Sequence, residues 1–329
     1  MTSLTLTCIG RQQNTHDVVS WQLAPLSGSL PPVLAGQCIT LHTEIDGQPE
    51  CRAYTLSSSP QDACWQVTIK DVGRVSRHLH QTLQVGDKIR VDGPFGDFNL
   101  TALPCERPLL LSAGSGITPM WAMLRDALAK RPDADIRFIH SARSPADVIF
   151  ADELATLAAA HSGVRHALIL EEAPADHPWI GRLTPAMLAE LAPDLRERHV
   201  YLCGPAPYMA AVKTMLAELG LPQEQQHQES FGLPPVEPAT TTSDHFWLTL
   251  KKSGKKVKIL PGQTLLAALE AAGETIMAAC RAGVCGSCRC TTTGDIERQS
   301  VMTLSAQDLE SGVALACSCT ASGDVSVDY

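Results

Sequence analysis

Four cysteines constrain this chain more than any other feature. The stretch Cys280-Arg-Ala-Gly-Val-Cys285-Gly-Ser-Cys288 reads C-x4-C-x2-C, and Cys317 follows well downstream. Three thiols from one short loop and a fourth returned by the fold can grip two irons, a pair of thiolates to each. That is the spacing of a two-iron, two-sulfur cluster. Ala282, Gly283, Gly286 and Ser287 are small, so backbone N–H groups can approach the sulfurs and tune the reduction potential. The competing set is a zinc site of Cys285, Cys288, Cys317 and Cys319. It leaves Cys280 without a role, whereas the cluster leaves Cys290 and Cys319 spare, as buried strand thiols. A cluster of this kind moves one electron at a time, so the rest of the chain should show where electrons enter.

With 329 residues there is room for two or three domains. The net charge of −9 is spread along the chain, which argues against a nucleic-acid partner. The densest basic group, Lys251 to Lys258, alternates around Ser253-Gly254 like a solvated hairpin. The N-terminus alternates like a strand and lacks the charged start of a signal peptide. The longest uncharged run, Leu109 to Leu124, is broken by Gly114, Gly116 and Pro119, so no membrane partner is expected. Twelve cysteines in a chain of this length read as mostly reduced core thiols, and the expected location is cytoplasmic.

Three textures follow one another. Residues 1–102 hold short strands at regular spacing, separated by turns such as Asp46-Gly47 and Gly86-Asp87, which predicts a small antiparallel barrel. One helix interrupts it, Arg77 to Leu83, with Ser76 as the expected N-cap. Residues 103–232 alternate strands and helices, which predicts a parallel sheet with helices on both faces. The helices are expected at Pro119–Lys130, Ala146–Ala160, Pro185–Leu191 and Pro207–Leu219, with Thr118 and Thr184 capping the first and third. Residues 233–243, rich in Pro and Thr, read as a linker. The last segment, 244–329, opens with a hairpin and a helix starting at Thr264, then carries the cysteine loop and the capping box Ser305-x-x-Asp308.

Candidate sites lie at the ends of these elements. Arg52-Ala53-Tyr54-Thr55 offers charge for a phosphate, a ring face and a hydroxyl donor, which suits a flavin nucleotide. Gly73-Arg74-Val75-Ser76 leads into a helix whose free N–H groups make an anion site. Gly114-Ser-Gly116-Ile-Thr118-Pro119 follows the first parallel strand where a pyrophosphate would sit, although Pro119 replaces the third glycine of the usual fingerprint. Cys203-Gly204-Pro205 stands at the carboxyl end of a later strand, the edge where such sheets bind ligands. Taken alone, Cys203 reads equally well as one more buried thiol.

Together these motifs resemble the ferredoxin–NADP reductase superfamily with a C-terminal plant-type ferredoxin domain, over nearly the whole chain. The resemblance implies an antiparallel barrel binding FAD (1–102), an α/β nicotinamide domain (103–232) and an α+β, β-grasp ferredoxin domain (244–329). It assigns the flavin to Arg52, Tyr54, Thr55, Gly73, Val75 and Ser76. The nicotinamide falls to Gly114, Gly116, Thr118, Gly204 and Pro205, and the 2Fe-2S cluster to Cys280, Cys285, Cys288 and Cys317. Cys203 and Thr55 are the expected residues at the hydride-transfer point. The phosphate loop Gly-Arg-Val-Ser is shorter than the G-R-G-G-S of the FMN-carrying phthalate dioxygenase reductase-like branch, which favours FAD. NADH is the expected donor, with Arg143 leaving NADPH open. The stretches Val148 to Glu153, Cys203 to Met209, Cys280 to Gly286 and Leu315 to Cys319 are similar to those of hybrid-cluster protein reductases. Hybrid-cluster protein is therefore the expected acceptor, a Rieske-type oxygenase component the alternative, and a non-enzymatic zinc-stabilised interaction protein the remote one. The implied circuit runs from NADH through FAD to the cluster, with the flavin accepting a hydride and releasing electrons singly.

Overall fold

A computed structural model describes residues 3–231, 245–279, 281, 283, 285–300 and 303–329. The linker expected at 233–243 and the first cluster cysteine, Cys280, lie outside the described residues. Contacts divide the described chain into two compact units. One comprises Met1–Ile45 with Tyr54–Ser230, the other Asp46–Ala53 with Phe231–Tyr329.

The chain opens with β1 (Ser3–Thr15), β2 (Val18–Pro25), β3 (Cys38–Ile45), β4 (Gln48–Thr55), β5 (Trp65–Lys70), α1 (Arg74–Thr82) and β6 (Lys88–Phe95). The strands form one sheet in the order β4-β3-β6-β1-β2-β5. Leu56, just past β4, bridges Val67 of β5, and this brings the far edges together as a barrel. Alternation builds the interior: Leu6, Cys8, Trp21, Leu23, Ile39, Leu41 and Val91 are all buried in one cluster. The helix α1 starts a turn earlier than the sequence suggests. Its N-cap is Gly73, in extended backbone, and Ser76 sits inside the first turn. There the Ser76 hydroxyl accepts the N–H groups of Gly73 (2.9 Å) and Val72 (3.1 Å), and this back-bonding moves the start upstream.

The parallel layer follows: β7 (Pro108–Ala113), α2 (Ile117–Lys130), β8 (Ile136–Ala142), α3 (Ala151–Ala160), β9 (Val164–Leu170), α4 (Pro185–Leu191), β10 (His199–Cys203), α5 (Ala206–Glu218) and β11 (Gln226–Glu229). The order is β11-β10-β7-β8-β9, every pair parallel. Covered on both faces, β7 is buried at every residue and so reads as a continuous apolar run. The helix expected over Ala146–Ala160 is split, because Phe150 takes a left-handed conformation (φ 60°). Its buried ring stacks on Trp121 at 5.3 Å, so packing overrides helix propensity here. Thr184 does cap α4, accepting the Met187 N–H at 3.2 Å. Thr118 does not cap α2: a 3-10 turn over Gly114–Gly116 runs straight into the helix, and the Thr118 hydroxyl donates back to the Ser115 carbonyl.

Barrel and parallel sheet share a core in which Ala35 and Phe98 of the first pack with Met120, Trp121 and Tyr201 of the second. Arg125 grips Asp62 through two hydrogen bonds (2.7 and 2.8 Å) across the same seam. Among the described residues, no helix is long and apolar enough to cross a membrane.

The C-terminal unit contains β12 (Phe246–Leu250), β13 (Lys256–Ile259), α6 (Leu265–Ala271), β14 (Arg289–Arg298), α7 (Ala306–Glu310), β15 (Val313–Leu315) and β16 (Cys319–Asp328). Its mixed sheet has the order β13-β12-β16-β14-β15, with β12 and β16 parallel. One helix, α6, lays Leu265, Leu266 and Leu269 on the sheet core, the α+β arrangement expected. Thr264 caps it by accepting the Ala267 N–H (3.2 Å), and the Ser305–Asp308 capping box opens α7 as read from the sequence.

Candidate functional site

All strands of the parallel sheet run one way, so their carboxyl ends lie along one edge. A cavity of about 490 Å³ opens there, lined by Gly114, Ser141, Arg143, Glu171, Pro205 and Tyr208 among others. Its floor holds unmet hydrogen-bonding capacity. Ser141 Oγ and Tyr208 Oη are buried there with no partner among the described residues beyond each other, which fits a site built for a polar ligand. Glu171 is engaged by Arg182 at 3.3 Å, and Arg143 is exposed at the rim. Gly114 and Pro205 line the cavity, whereas Gly116, Thr118, Cys203 and Gly204 are not among its lining residues. Gly116 packs so closely on β10 that an added Cβ would stand 2.3 Å from the Cys203 carbonyl oxygen. Only a residue without a side chain lets this turn approach the strand.

At the end of β10 the Cys203 thiol is fully buried, and burial pushes its pKa well up, with the charge of nearby Glu229 adding to the effect. It is therefore a neutral, bulky wall group rather than a nucleophile. Glu229 pairs in register with Cys203 across the parallel ladder and accepts a hydrogen bond from the Thr55 hydroxyl at 3.2 Å. The fold thus gathers Thr55 from the barrel with Cys203 and Glu229 from the sheet. Sequence reading missed Glu229, because Gln226-His-Gln-Glu carries no apolar alternation to mark it as a strand.

The other flavin-motif residues are placed as follows. Tyr54 is half-buried against the barrel core. The Arg52 guanidinium donates to the Cys51 carbonyl at 2.7 Å and lies 3.7 Å from Glu50. The Val75 side chain belongs to the barrel core, so only its backbone faces outward chemistry. Nothing stands within 4 Å of a Cβ built on Gly73, which leaves the mouth of α1 open beside its first-turn N–H groups. This space fits a phosphate.

In the C-terminal unit Cys285, Cys288 and Cys317 are all buried. The Gly283 N–H donates to Cys317 Sγ at 3.2 Å and the Cys317 N–H to Cys288 Sγ at 3.5 Å. Backbone N–H groups aimed at sulfur suit thiolates that carry negative charge on iron. Gly283 is left-handed (φ 73°), and a Cβ there would meet Ser300 and Ser318 at 2.7 Å, so the tight wrap requires glycine. Among the described residues no group of three or more His, Cys, Asp or Glu is placed to hold a metal, and Cys280 lies outside them. Cys290 Sγ points instead at the Ala314 carbonyl (3.6 Å), and burial among neighbouring thiols pushes its pKa up to about 12.

Comparison with known proteins gives a family match in each segment. An oxidoreductase FAD-binding domain matches residues 12–100, an oxidoreductase NAD-binding domain 110–214, and a 2Fe-2S iron-sulfur cluster binding domain 248–322. The glycine betaine monooxygenase reductase subunit of Pseudomonas aeruginosa is 37% identical over 98% of this chain and 94% of its own. The chain belongs to the ferredoxin–NADP reductase superfamily. Two further proteins are similar to nearly the whole chain. The NADH oxidoreductase HCR of Escherichia coli is 35% identical over 91% of this chain and 89% of that protein. The solved phthalate dioxygenase reductase is 25% identical with a TM-score of 0.63, covering 99% of this chain and 98% of that one. The protein is an oxidoreductase with FAD, NAD and 2Fe-2S modules that transfers electrons to a partner.

Proposed function

We propose that this superfamily member is the NADH-dependent reductase component of an oxygenase, passing electrons from NADH through FAD and the 2Fe-2S centre to that partner. One observation carries the reading. The whole three-module chain aligns with a monooxygenase reductase subunit at 37% identity across 94% of that subunit. The similarity to HCR, at 35% across 89%, supports hybrid-cluster protein less well, so the preference held from the sequence is reversed.

On this reading the flavin, when bound, supplies the conversion of a hydride into single electrons. The chain supplies orientation. Gly114 and Pro205, with Gly116 and Gly204 holding the turns behind them, cradle the nicotinamide nucleotide in the cavity, and Thr118 stiffens the turn. Cys203 and Thr55 wall the transfer point and keep water out, with Glu229 fixing the Thr55 hydroxyl. Tyr54 offers its ring to the isoalloxazine, while Arg52, Gly73, Val75 and Ser76 hold the flavin phosphates, the last three through the mouth of α1. Cys280, Cys285, Cys288 and Cys317 ligate the cluster. Residues 1–102, 103–232 and 244–329 are the three functional segments. A cytoplasmic setting suits a chain whose cysteines serve as iron ligands and reduced core thiols.

Anaerobic NADH titration followed in the visible spectrum should bleach flavin and cluster together. Addition of a purified oxygenase component should then reoxidise both faster than addition of hybrid-cluster protein. The reverse ranking of the two acceptors would sink the proposal.

A further inference from the structure

We propose that Ser287 is a positioning residue that raises the reduction potential of the iron–sulfur centre by donating its hydroxyl hydrogen to the Cys285 sulfur. The proposal rests on the reading that Cys285 ligates the cluster. From the sequence, Ser287 is only a small residue giving backbone groups access to sulfur. In the structure its Oγ lies 3.1 Å from Cys285 Sγ and accepts the Ala279 N–H at 2.8 Å. These two contacts assign the hydrogen. The Ala279 N–H can only donate, so it occupies an oxygen lone pair. A thiolate on iron has no hydrogen of its own, so across the 3.1 Å contact the serine must be the donor.

The consequence follows from charge. Adding an electron makes the sulfurs more negative, and a fixed O–H dipole interacts more strongly with the reduced state than with the oxidised one. Donation from Ala279 polarises the hydroxyl and strengthens it as a donor. Cys285 is buried, so water competes poorly for the same sulfur. Hydrogen bonds to cluster sulfurs are among the levers that set such potentials.

The test compares Ser287→Ala, Ser287→Thr and Ser287→Val in the full-length holoprotein, with cluster potential measured by anaerobic titration followed by electron paramagnetic resonance. Removing the hydroxyl should shift electron sharing about tenfold away from the cluster, a potential more negative by about 59 mV for one electron. Ser287→Thr should stay near wild type. The Thr and Val side chains share a shape and differ in the hydroxyl, so that pair carries the result even where the smaller Ala variant loads iron poorly. Equal potentials for Thr and Val would overturn the proposal. A wild-type protein without iron and acid-labile sulfide would overturn the cluster reading beneath it, a separate and visible outcome.

Discussion

The carboxyl edge of the parallel sheet and the cysteine loop of the C-terminal unit both depend on cysteine, and they use it in opposite ways. At the sheet edge Cys203 is sealed in, kept protonated by burial, and serves as shape. In the loop, Cys288 and Cys317 receive backbone N–H groups directly on sulfur, an arrangement that favours the charged thiolate. The first site is held by regular strands and a shared hydrophobic core. At the second, Gly283 and Gly286 are left-handed, and Gly283 packs closely on Ser300 and Ser318. One amino acid is thus kept neutral or favoured as a thiolate according to whether its surroundings offer hydrocarbon or hydrogen-bond donors.

The largest test of that contrast is Cys285→Ser. Iron and sulfide content should collapse, and electron delivery to the acceptor should fall at least about 100-fold, since even supporting residues around metal ligands cost 10–100-fold. Reduction of the flavin by NADH should remain close to wild type in a stopped-flow measurement. Parallel loss of both reactions would show that the two regions are not separable.

Gly116→Ala attacks the other side. A Cβ 2.3 Å from the Cys203 carbonyl oxygen must push the turn away from β10, and displacement on the ångström scale costs about 100-fold in a positioned transfer. The expected result is that loss in kcat/KM for NADH with an unchanged cluster spectrum.

Acid should weaken the first region through His140, which is fully buried in β8 with Nδ1 2.9 Å from Ser112 Oγ. Burial pushes its pKa from 6.5 down to about 4. Between those values the unfolded chain binds a proton that the native state refuses. Stability is therefore intact above about pH 6.5 and is lost as pH falls toward 4. The loss from pH 7 to 5 should be about 2 kcal/mol, read from urea unfolding. A His140→Asn protein should show a flatter profile over that window.

The smallest expected effect belongs to Glu229→Ala. Losing a charged partner for the Thr55 hydroxyl should slow flavin reduction by NADH about tenfold, with less change in the KM for NADH. A rate within twofold of wild type would leave Glu229 as packing alone.

Much of this was legible in the sequence, for reasons that differ by element. Alternation announced β1 to β6, and the succession of strands and helices after residue 103 announced the parallel sheet. Thr184, Thr264 and Ser305 marked helix starts because their hydroxyls act within one turn. Ser76 and Thr118 were misplaced as caps because the same hydroxyl can reach backward along the chain, which a local pattern does not reveal. Phe150 broke a helix through a contact with Trp121, distant in sequence. Glu229 was invisible because its strand is polar and its importance lies in reaching Thr55, 174 positions away. The proposed cluster ligands stood out because loop geometry fixes their spacing, and Ser287 did not, since its proposed role depends on where a single hydrogen points.

The burial of Cys203 has a consequence for a cell under peroxide stress. Oxidants attack thiolates that they can reach, and this sulfur is neither ionised nor reachable. The wall at the sheet edge should therefore survive oxidants that consume exposed thiols, and NADH oxidation should persist after mild peroxide treatment.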